Sequence, residues 1–175
     1  KISMLWLGTG IFIGVLFTSH RTSLRSMTPW FAGGLAVLLF LPFVLWNITH
    51  DFAHLEFIRN ASTEKYASQN PATFFSGLLI LINPLAAPLW LAGFWFLLAQ
   101  KAHRIMGFAV LFVLAVLLAN VHSKSEYFAS AMTVLLPAGS VQLEQLLKGR
   151  YVRWIRFPYL ICLTALGIFI VPMTL

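Results

Sequence analysis

The chain has 175 residues, of which 59% are hydrophobic and only 10% are charged, with 16 phenylalanines and 6 tryptophans. An average soluble domain is about 25% charged, so a soluble fold of this composition would lack polar groups to cover its surface. The composition argues against a soluble enzyme and a disordered tail, and the single cysteine, Cys162, excludes an internal disulfide framework. Because the chain begins with Lys1 and enters an apolar run at once, we expect it to be a fragment of a longer membrane protein.

Stretches without charged residues divide the chain into segments of about the 20 residues that cross a bilayer. We predict an all-α integral membrane fold, a single domain over 1–175, with about six transmembrane helices at 2–19, 28–46, 84–99, 105–121, 127–147 and 157–175. Residues 47–72 are predicted as an outer loop. The uncharged run 66–100 is too long for one straight helix and contains prolines that interrupt it. We therefore interpret 71–82 as an interfacial or steeply tilted segment that leads into the third span.

The positions of lysine and arginine decide how often the run 66–100 crosses the membrane. With a single crossing, 8 of the 12 basic residues share one side, which the positive-inside rule makes cytoplasmic. With two crossings, only Arg21, Arg25 and Lys124 would share the first side. We expect one crossing in the orientation that makes the side with these eight residues cytoplasmic, and we interpret the net charge of +7 as an orientation signal and not as a nucleic-acid patch.

The outer segment that follows the second span carries His50, Asp51 and His54. Histidines four apart share one face of a helix and have the spacing of the zinc motif H-E-x-x-H, with Asp51 in place of glutamate. No third ligand stands out. Two further interpretations remain open: an interfacial segment that Trp, Asn and His anchor at headgroup depth, or a polar lining for a lipid-linked substrate.

The outer segment between the fourth and fifth spans carries Lys124, Glu126 and Tyr127. A lysine at the membrane surface is suited to holding a phosphate, and Tyr127 to orienting a sugar hydroxyl or the same phosphate. The alternative is a solvated loop whose lysine snorkels and whose tyrosine joins the aromatic belt. Lys1 is a further candidate on the outer side of the first span, unless it marks only an arbitrary fragment boundary.

Four segments in this order resemble the later membrane portion of family 39 glycosyltransferases, the dolichyl-phosphate-mannose protein mannosyltransferase-like group with its RgtA/B/C/D-like bacterial members. They are Pro-x-x-x-Trp-Asn at 42–47 with His-Asp-Phe at 50–52, Asn-Pro-Leu-Ala-Ala-Pro-Leu-Trp-Leu-Ala-Gly at 83–93, Lys-x-Glu-Tyr-Phe at 124–128, and Ala-Gly-x-x-x-x-Glu at 138–144. Lys1 is placed like the lysine that opens a family span at the outer face.

The resemblance implies a fragment of a GT-C type helical bundle in a bacterial inner (plasma) membrane, with its active face periplasmic or otherwise extracytoplasmic. Such an enzyme moves a sugar from a polyprenyl-phosphate donor to a glycan, lipid or protein acceptor, and we expect no cofactor, no metal and no nucleic acid. The catalytic acid is expected upstream of Lys1, so the fragment would be inactive alone. A transporter or flippase-like bundle is the alternative, although the span centres lack the charged residues that transport requires.

The predicted site residues form two groups, of which the first binds the donor phosphate and the second forms the substrate or acceptor surface. They are Lys1, Lys124 and Tyr127 in the first group, and His50, Asp51, Arg59 and Glu126 in the second.

Overall fold

The computed structural model describes residues 3–64, 70–147 and 152–174, and the regular secondary structure in these ranges is entirely helical. The α-helices are α1 (Ser3–Leu16), α2 (Thr28–Thr49), α3 (Ala53–Glu64), α4 (Pro71–Ile82), α5 (Ala87–Ala99), α6 (Arg104–Ala119), α7 (Ala129–Leu146) and α8 (Arg156–Thr174). Short 3-10 helices occupy Ser19–Arg25, Pro84–Ala86, Ser125–Phe128 and Val152–Ile155. The predicted all-α class is confirmed for these ranges.

Among the described helices, α2 is the one that is both long and apolar enough to cross a membrane by itself. Its 22 residues extend about 33 Å, compared with about 30 Å of hydrocarbon, whereas the 14 residues of α1 extend about 21 Å. Only 6% of the most apolar window of α2 is buried, unlike a core helix of a soluble protein. Helices α4 and α5 meet the same criterion only as a bent pair, so the six crossings stay a prediction.

Residues 47–72, predicted as one outer loop, are largely helical where the structure describes them. Helix α2 continues to Thr49, beyond the predicted end of the span at 46, and α3 follows at Ala53–Glu64. From residue 48 to residue 64 the chain contains neither glycine nor proline, and helical structure resumes at Ala53 after a short turn at residues 50–52. Loss of hydrophobicity in this segment therefore does not mean loss of helical structure.

The chain divides into two compact units, Val15–Ser68 and Lys1–Gly14 together with Gln69–Leu175. In the second unit, α5 and α7 approach each other through two glycines. A Cβ on Gly93 would overlap the carbonyl oxygen of Leu135, and a Cβ on Gly139 would overlap that of Leu89. Small residues allow helices such a close approach. The buried apolar side chains of this unit are Phe74, Leu78, Leu97, Val110, Leu117, Phe128, Ala131, Met132, Leu135 and Ala138.

Two further glycines bring α1 onto α6 in the same unit. A Cβ on Gly10 would lie 3.0 Å from the carbonyl oxygen of Ala109, and a Cβ on Gly14 would lie 2.6 Å from that of Ile105. The face of α1 that bears Gly8 is open, since a Cβ there would meet no atom within 4 Å. The contact with α6 therefore depends on Gly10 and Gly14.

Asn83 forms the bend of 98° between α4 and the helical stretch that begins at Pro84. The residue is buried and has a φ of 86° and a ψ of 116°, a conformation that L residues rarely adopt. Its Nδ2 donates to the carbonyl of Leu163 in α8 (2.8 Å), and its Oδ1 accepts from the N–H of Leu85 (3.0 Å). The Tyr159 hydroxyl of α8 donates to the carbonyl of Leu85 (2.6 Å). A helix about 80 residues downstream thus stabilises the bend.

Two of the basic residues predicted on the cytoplasmic side bind the C-terminal ends of helices. Arg104 Nε donates to the carbonyl of Leu98 at the end of α5 (2.8 Å), and Arg156 Nη2 donates to that of Leu147 after α7 (3.4 Å). Cations there satisfy carbonyls that lack a helical partner. Arg156 also lies 3.7 Å from the exposed carboxylate of Glu144, and an ion pair this exposed contributes little.

Candidate functional site

The chain between α6 and α7, residues 120–128, forms a turn with its own hydrogen bonds, which we call the 120–128 turn. Asn120 ends α6, and its side-chain Oδ1 accepts from the N–H of His122 (3.1 Å). The main-chain carbonyl of Asn120 accepts from the N–H of Ser123 (2.9 Å). Bonds of this kind define an Asx turn, so the direction of the chain after α6 is set by Asn120.

Three predicted site residues lie together on this turn. Lys124 precedes the 3-10 helix Ser125–Phe128, and its carbonyl accepts from the N–H of Tyr127 (3.1 Å). The side chain of Lys124 is partly buried, whereas Glu126 is exposed and Tyr127 is 44% exposed. The turn therefore carries a partly buried lysine between two buried serines, and an exposed tyrosine next to an exposed glutamate.

The 120–128 turn is attached to α4 by Ser125. The side chain of Ser125 is buried, and its Oγ donates to the carbonyl of Phe74 in α4 (2.8 Å). Gly77, one turn later in α4, makes room for it, since a Cβ on Gly77 would lie 2.7 Å from Ser125 Oγ. Phe128 at the other end of the turn is 2% exposed and belongs to the apolar core. Lys124 therefore lies on a segment fixed at both sides.

Ser123 lies in a small cavity with a mixed lining of polar and apolar residues. It is 3% exposed, and its Oγ makes no hydrogen bond in the structure. The cavity has a volume of about 10 Å³ and is also lined by Asn70 and Asn120. A single water occupies about 10–15 Å³ by the same measure, so the cavity is large enough for one oxygen atom and too small for a phosphate or a sugar ring. Ser123 is thus suited to binding one water or one hydroxyl.

In the Val15–Ser68 unit, Asn47 builds the corner between α2 and α3. The residue is buried; its Nδ2 donates to the carbonyl of Phe43 (3.0 Å), and its Oδ1 accepts from the N–H of His54 (3.2 Å). Its main-chain carbonyl accepts from the N–H of Phe52 (2.7 Å). Asp51 and Phe52 have positive φ values of 49° and 57°, which close the turn. One asparagine thereby connects the end of one helix to the start of the next.

This corner prevents His50 and His54 from sharing a helix face. His50 follows the last residue of α2 and stacks on Trp46, with 4.4 Å between the ring centroids. His54 lies in the first turn of α3 and contacts the edge of Phe43 at 5.6 Å. In the described part of the chain, no three His, Cys, Asp or Glu side chains come together as metal ligands. The geometry argues against the zinc interpretation, and the anchoring and lipid-substrate interpretations stay predictions.

The predicted site residues thus lie in three places. Lys124, Glu126 and Tyr127 share the 120–128 turn, whereas His50 and Asp51 lie at the corner between α2 and α3 and belong to the other unit. Arg59 is exposed in α3. Lys1 falls outside the described residues.

Sequence reasoning missed the residues that build the two segments. Ser123 and Ser125 flank Lys124 in the string His-Ser-Lys-Ser-Glu-Tyr, where they resemble ordinary loop residues, yet both are buried. Nothing in a single sequence distinguishes a buried loop serine from an exposed one. Asn47 was predicted only as an anchor at the end of a span, and its hydrogen bonds to both helices of the corner were not predicted.

Comparisons of the chain with protein-family models, with curated protein sequences and with solved structures find no significant match. The class of protein is therefore defined by the features of the chain itself. These are an all-helical fold in the described ranges and one exposed apolar helix, α2, that is long enough to span a bilayer.

Proposed function

We propose that this chain is the later membrane portion of a GT-C type glycosyltransferase of the kind it resembles, family 39, with six membrane crossings. The enzyme moves a sugar from a polyprenyl-phosphate donor to an acceptor on the extracytoplasmic face of a bacterial plasma membrane. The chain supplies cations for the donor phosphate, and the catalytic base belongs to a loop upstream of Lys1.

The lengths and angle of α4 and α5 support a single crossing by the run 66–100. The 12 residues of α4 extend about 18 Å and the 16 residues 84–99 about 24 Å, each less than about 30 Å of hydrocarbon, so neither of them alone is long enough for a straight crossing. The bend of 98° places α4 nearly perpendicular to the helix that follows it. If the stretch that contains α5 crosses the bilayer, α4 lies along the membrane surface.

The hydrogen bond from Ser125 Oγ to the carbonyl of Phe74 is the observation that carries the proposal. It attaches the 120–128 turn to α4, so a surface position for α4 brings Lys124 and Tyr127 to headgroup depth. The phosphate of a polyprenyl-phosphate sugar occupies that depth, because its lipid chain lies in the hydrocarbon.

At this position Lys124 has a defined chemical role. When the bond between the sugar and the phosphate of the donor breaks, the lipid phosphate leaves with an additional negative charge. An ammonium group held beside it stabilises that charge in the transition state, where such stabilisation accelerates the reaction. Tyr127 donates a hydrogen bond to the same phosphate or to a sugar hydroxyl. We assign Lys1 a second phosphate contact.

In this proposal His50, Asp51 and Arg59 of one unit, and separately Glu126 of the other, contact the acceptor or substrate. The corner at Asn47 presents His50 and Asp51 at the end of α2, the helix long enough to reach the opposite membrane surface. These side chains bind and orient the acceptor, and the proton of the attacking hydroxyl goes to the carboxylate upstream.

Substitution of Lys124 tests the proposal in the intact enzyme. Removal of one group that stabilises a developing oxyanion lowers the rate by about 100- to 1,000-fold, so Lys124→Ala is expected to lower kcat/KM for a polyprenyl-phosphate sugar by about that factor. Lys101→Ala, which changes an exposed lysine in the turn between α5 and α6 on the predicted cytoplasmic side, is the matched control and should retain activity. Full transfer activity in a folded Lys124→Ala enzyme would contradict the proposed role.

Cysteine labelling tests the membrane topology separately. The native Cys162 is exposed in α8 and is first replaced by serine. An impermeant maleimide added to intact cells should then label Asn60→Cys, whereas Val152→Cys should react only after the cytoplasmic side is opened. The reverse pattern would overturn the topology and, with it, the extracytoplasmic position of Lys124.

A further inference from the structure

One face of α2 forms an open apolar groove near the start of the helix. Its volume is about 390 Å³, within the range of about 300–1,000 Å³ that is usual for small-molecule sites. The groove is lined by side chains that recur every three or four residues, namely Met27, Trp30, Phe31, Gly34, Leu35 and Leu38. From residue 27 to residue 38 it follows the helix for about 17 Å.

Gly34 makes this face concave. A Cβ built on Gly34 would meet no atom within 4 Å, so the space beside it is open and the larger neighbours form its walls. Phe31 is 71% exposed and Leu38 is 62% exposed, so the groove is bounded by apolar side chains that point away from the helix. An unbranched hydrocarbon chain can lie along an open apolar groove of this length.

The N-terminal end of the groove adjoins a cationic segment. The 3-10 helix Ser19–Arg25 carries Arg21 and Arg25, both exposed, and ends three residues before α2 begins. The indole N–H of Trp30 donates to the carbonyl of Leu24 (2.9 Å), which ties this segment to the first turn of α2. Arg21 and Arg25 therefore lie on a segment that is attached to the Trp30 end of the groove.

No carboxylate in the sequence offsets this positive charge locally. The first acidic residue of the chain is Asp51, at the opposite end of α2. Arginine binds phosphate through paired N–H groups, and basic residues beside a membrane helix select anionic headgroups. The positive charge and the apolar groove together match a molecule with an anionic head and a hydrocarbon tail.

We propose that this groove binds an anionic phospholipid of the cytoplasmic leaflet, with its phosphate at Arg21 and Arg25 and one acyl chain along Gly34. The proposal rests on the membrane crossing of α2 and does not require glycosyl transfer. It assigns the cationic segment a ligand in addition to its part in orienting the chain.

Spin-labelled lipids test this inference in the intact protein reconstituted in phosphatidylcholine vesicles. Electron paramagnetic resonance gives the fraction of labelled lipid immobilised by the protein, and hence the relative association constants of phosphatidylglycerol and phosphatidylcholine. We expect phosphatidylglycerol to associate more tightly. Each basic residue near a membrane surface contributes a factor of about five, so Arg21→Gln with Arg25→Gln should bring the two lipids to nearly equal association.

A pair of glycine variants tests the groove itself. Gly34→Leu fills the groove and should reduce the immobilised fraction of phosphatidylglycerol. Gly33→Leu is the matched control, because a Cβ there is equally unobstructed but residue 33 does not line the groove. Equal association of the two lipids with the unchanged protein, or equal effects of the two leucine variants, would overturn the proposal. Sugar transfer measured in the same vesicles reports separately on the proposed function, so failure of one proposal is distinguishable from failure of the other.

Discussion

Asn83 offers a direct test of how the bend between α4 and α5 is held. Asn83→Ala removes two hydrogen bonds, one to the carbonyl of Leu163 (2.8 Å) and one from the N–H of Leu85 (3.0 Å). Each such bond contributes about 0.5–1.5 kcal/mol, so we expect the free energy of unfolding to fall by about 1–3 kcal/mol from the bonds alone. The alanine must also adopt the φ of 86° found at this position, which adds to the loss.

A second substitution at the same position separates the backbone contribution from the hydrogen bonds. Asn83→Gly loses both bonds as well, but glycine adopts a positive φ without the steric cost of about 1–2 kcal/mol that a Cβ introduces. The greater flexibility of glycine in the unfolded chain offsets about 0.4–1 kcal/mol of this gain. We therefore expect the glycine variant to be more stable than the alanine variant by about 1 kcal/mol.

The measurement is the free energy of unfolding in detergent micelles, obtained by titration with sodium dodecyl sulfate and followed by far-UV circular dichroism. Elution of each variant as a single species in gel filtration shows that it folds before titration. If the alanine variant were as stable as the glycine variant, the backbone argument would be refuted. If both variants were as stable as the unchanged protein, the two hydrogen bonds would have no net effect and the account of the bend would be wrong.

The same measurement tests two further contacts. Gly139→Ala places a methyl group against the carbonyl of Leu89 and should lower the free energy of unfolding by about 1–3 kcal/mol. Gly8→Ala on the open face of α1 is the control and should leave the stability unchanged or raise it slightly. Equal effects of the two substitutions would mean that α5 and α7 are not closely packed. Ser125→Ala removes the bond to Phe74 and should cost about 0.5–1.5 kcal/mol and raise KM for the lipid donor in the intact enzyme. Ser130→Ala removes an exposed local bond to Tyr127 and is its control; an unchanged KM with Ser125→Ala would separate Ser125 from donor binding.

The helical class was predictable because it depends on local composition. Apolar runs between charged residues correspond to helices throughout the described ranges, and the string Asn83-Pro84 marks the break between α4 and the helical stretch that follows. Proline lacks the N–H that a continuous helix needs, yet Pro42 and Pro137 lie inside α2 and α7, so the proline marks a possible break and does not decide it. The extent of α3 was not predictable from hydropathy, because its polar residues form a helix as readily as apolar ones.

The candidate site likewise contains residues that the sequence reveals and a supporting contact that it does not. Lys124 and Tyr127 stand out in the sequence because a cation and a phenol between two apolar runs are visible as residue types. The hydrogen bond from Ser125 to Phe74 that holds the turn with Lys124 does not stand out in the sequence, because the two residues are 51 positions apart. Whether a serine is buried also depends on which residues cover it.

The amino-acid sequence determined that this chain is helical, where its apolar segments lie, and which polar turns separate them, since those properties depend on neighbouring residues. Only tertiary contacts decided how the bend at Asn83 is held against α8 and how the 120–128 turn is attached to α4. Both features require donor and acceptor atoms from residues far apart in the chain to meet in space, which depends on how the intervening helices pack. The corner at Asn47 that separates His50 from His54 is local, but its hydrogen bonds depend on the exact backbone course over residues 43–54, which hydropathy does not reveal.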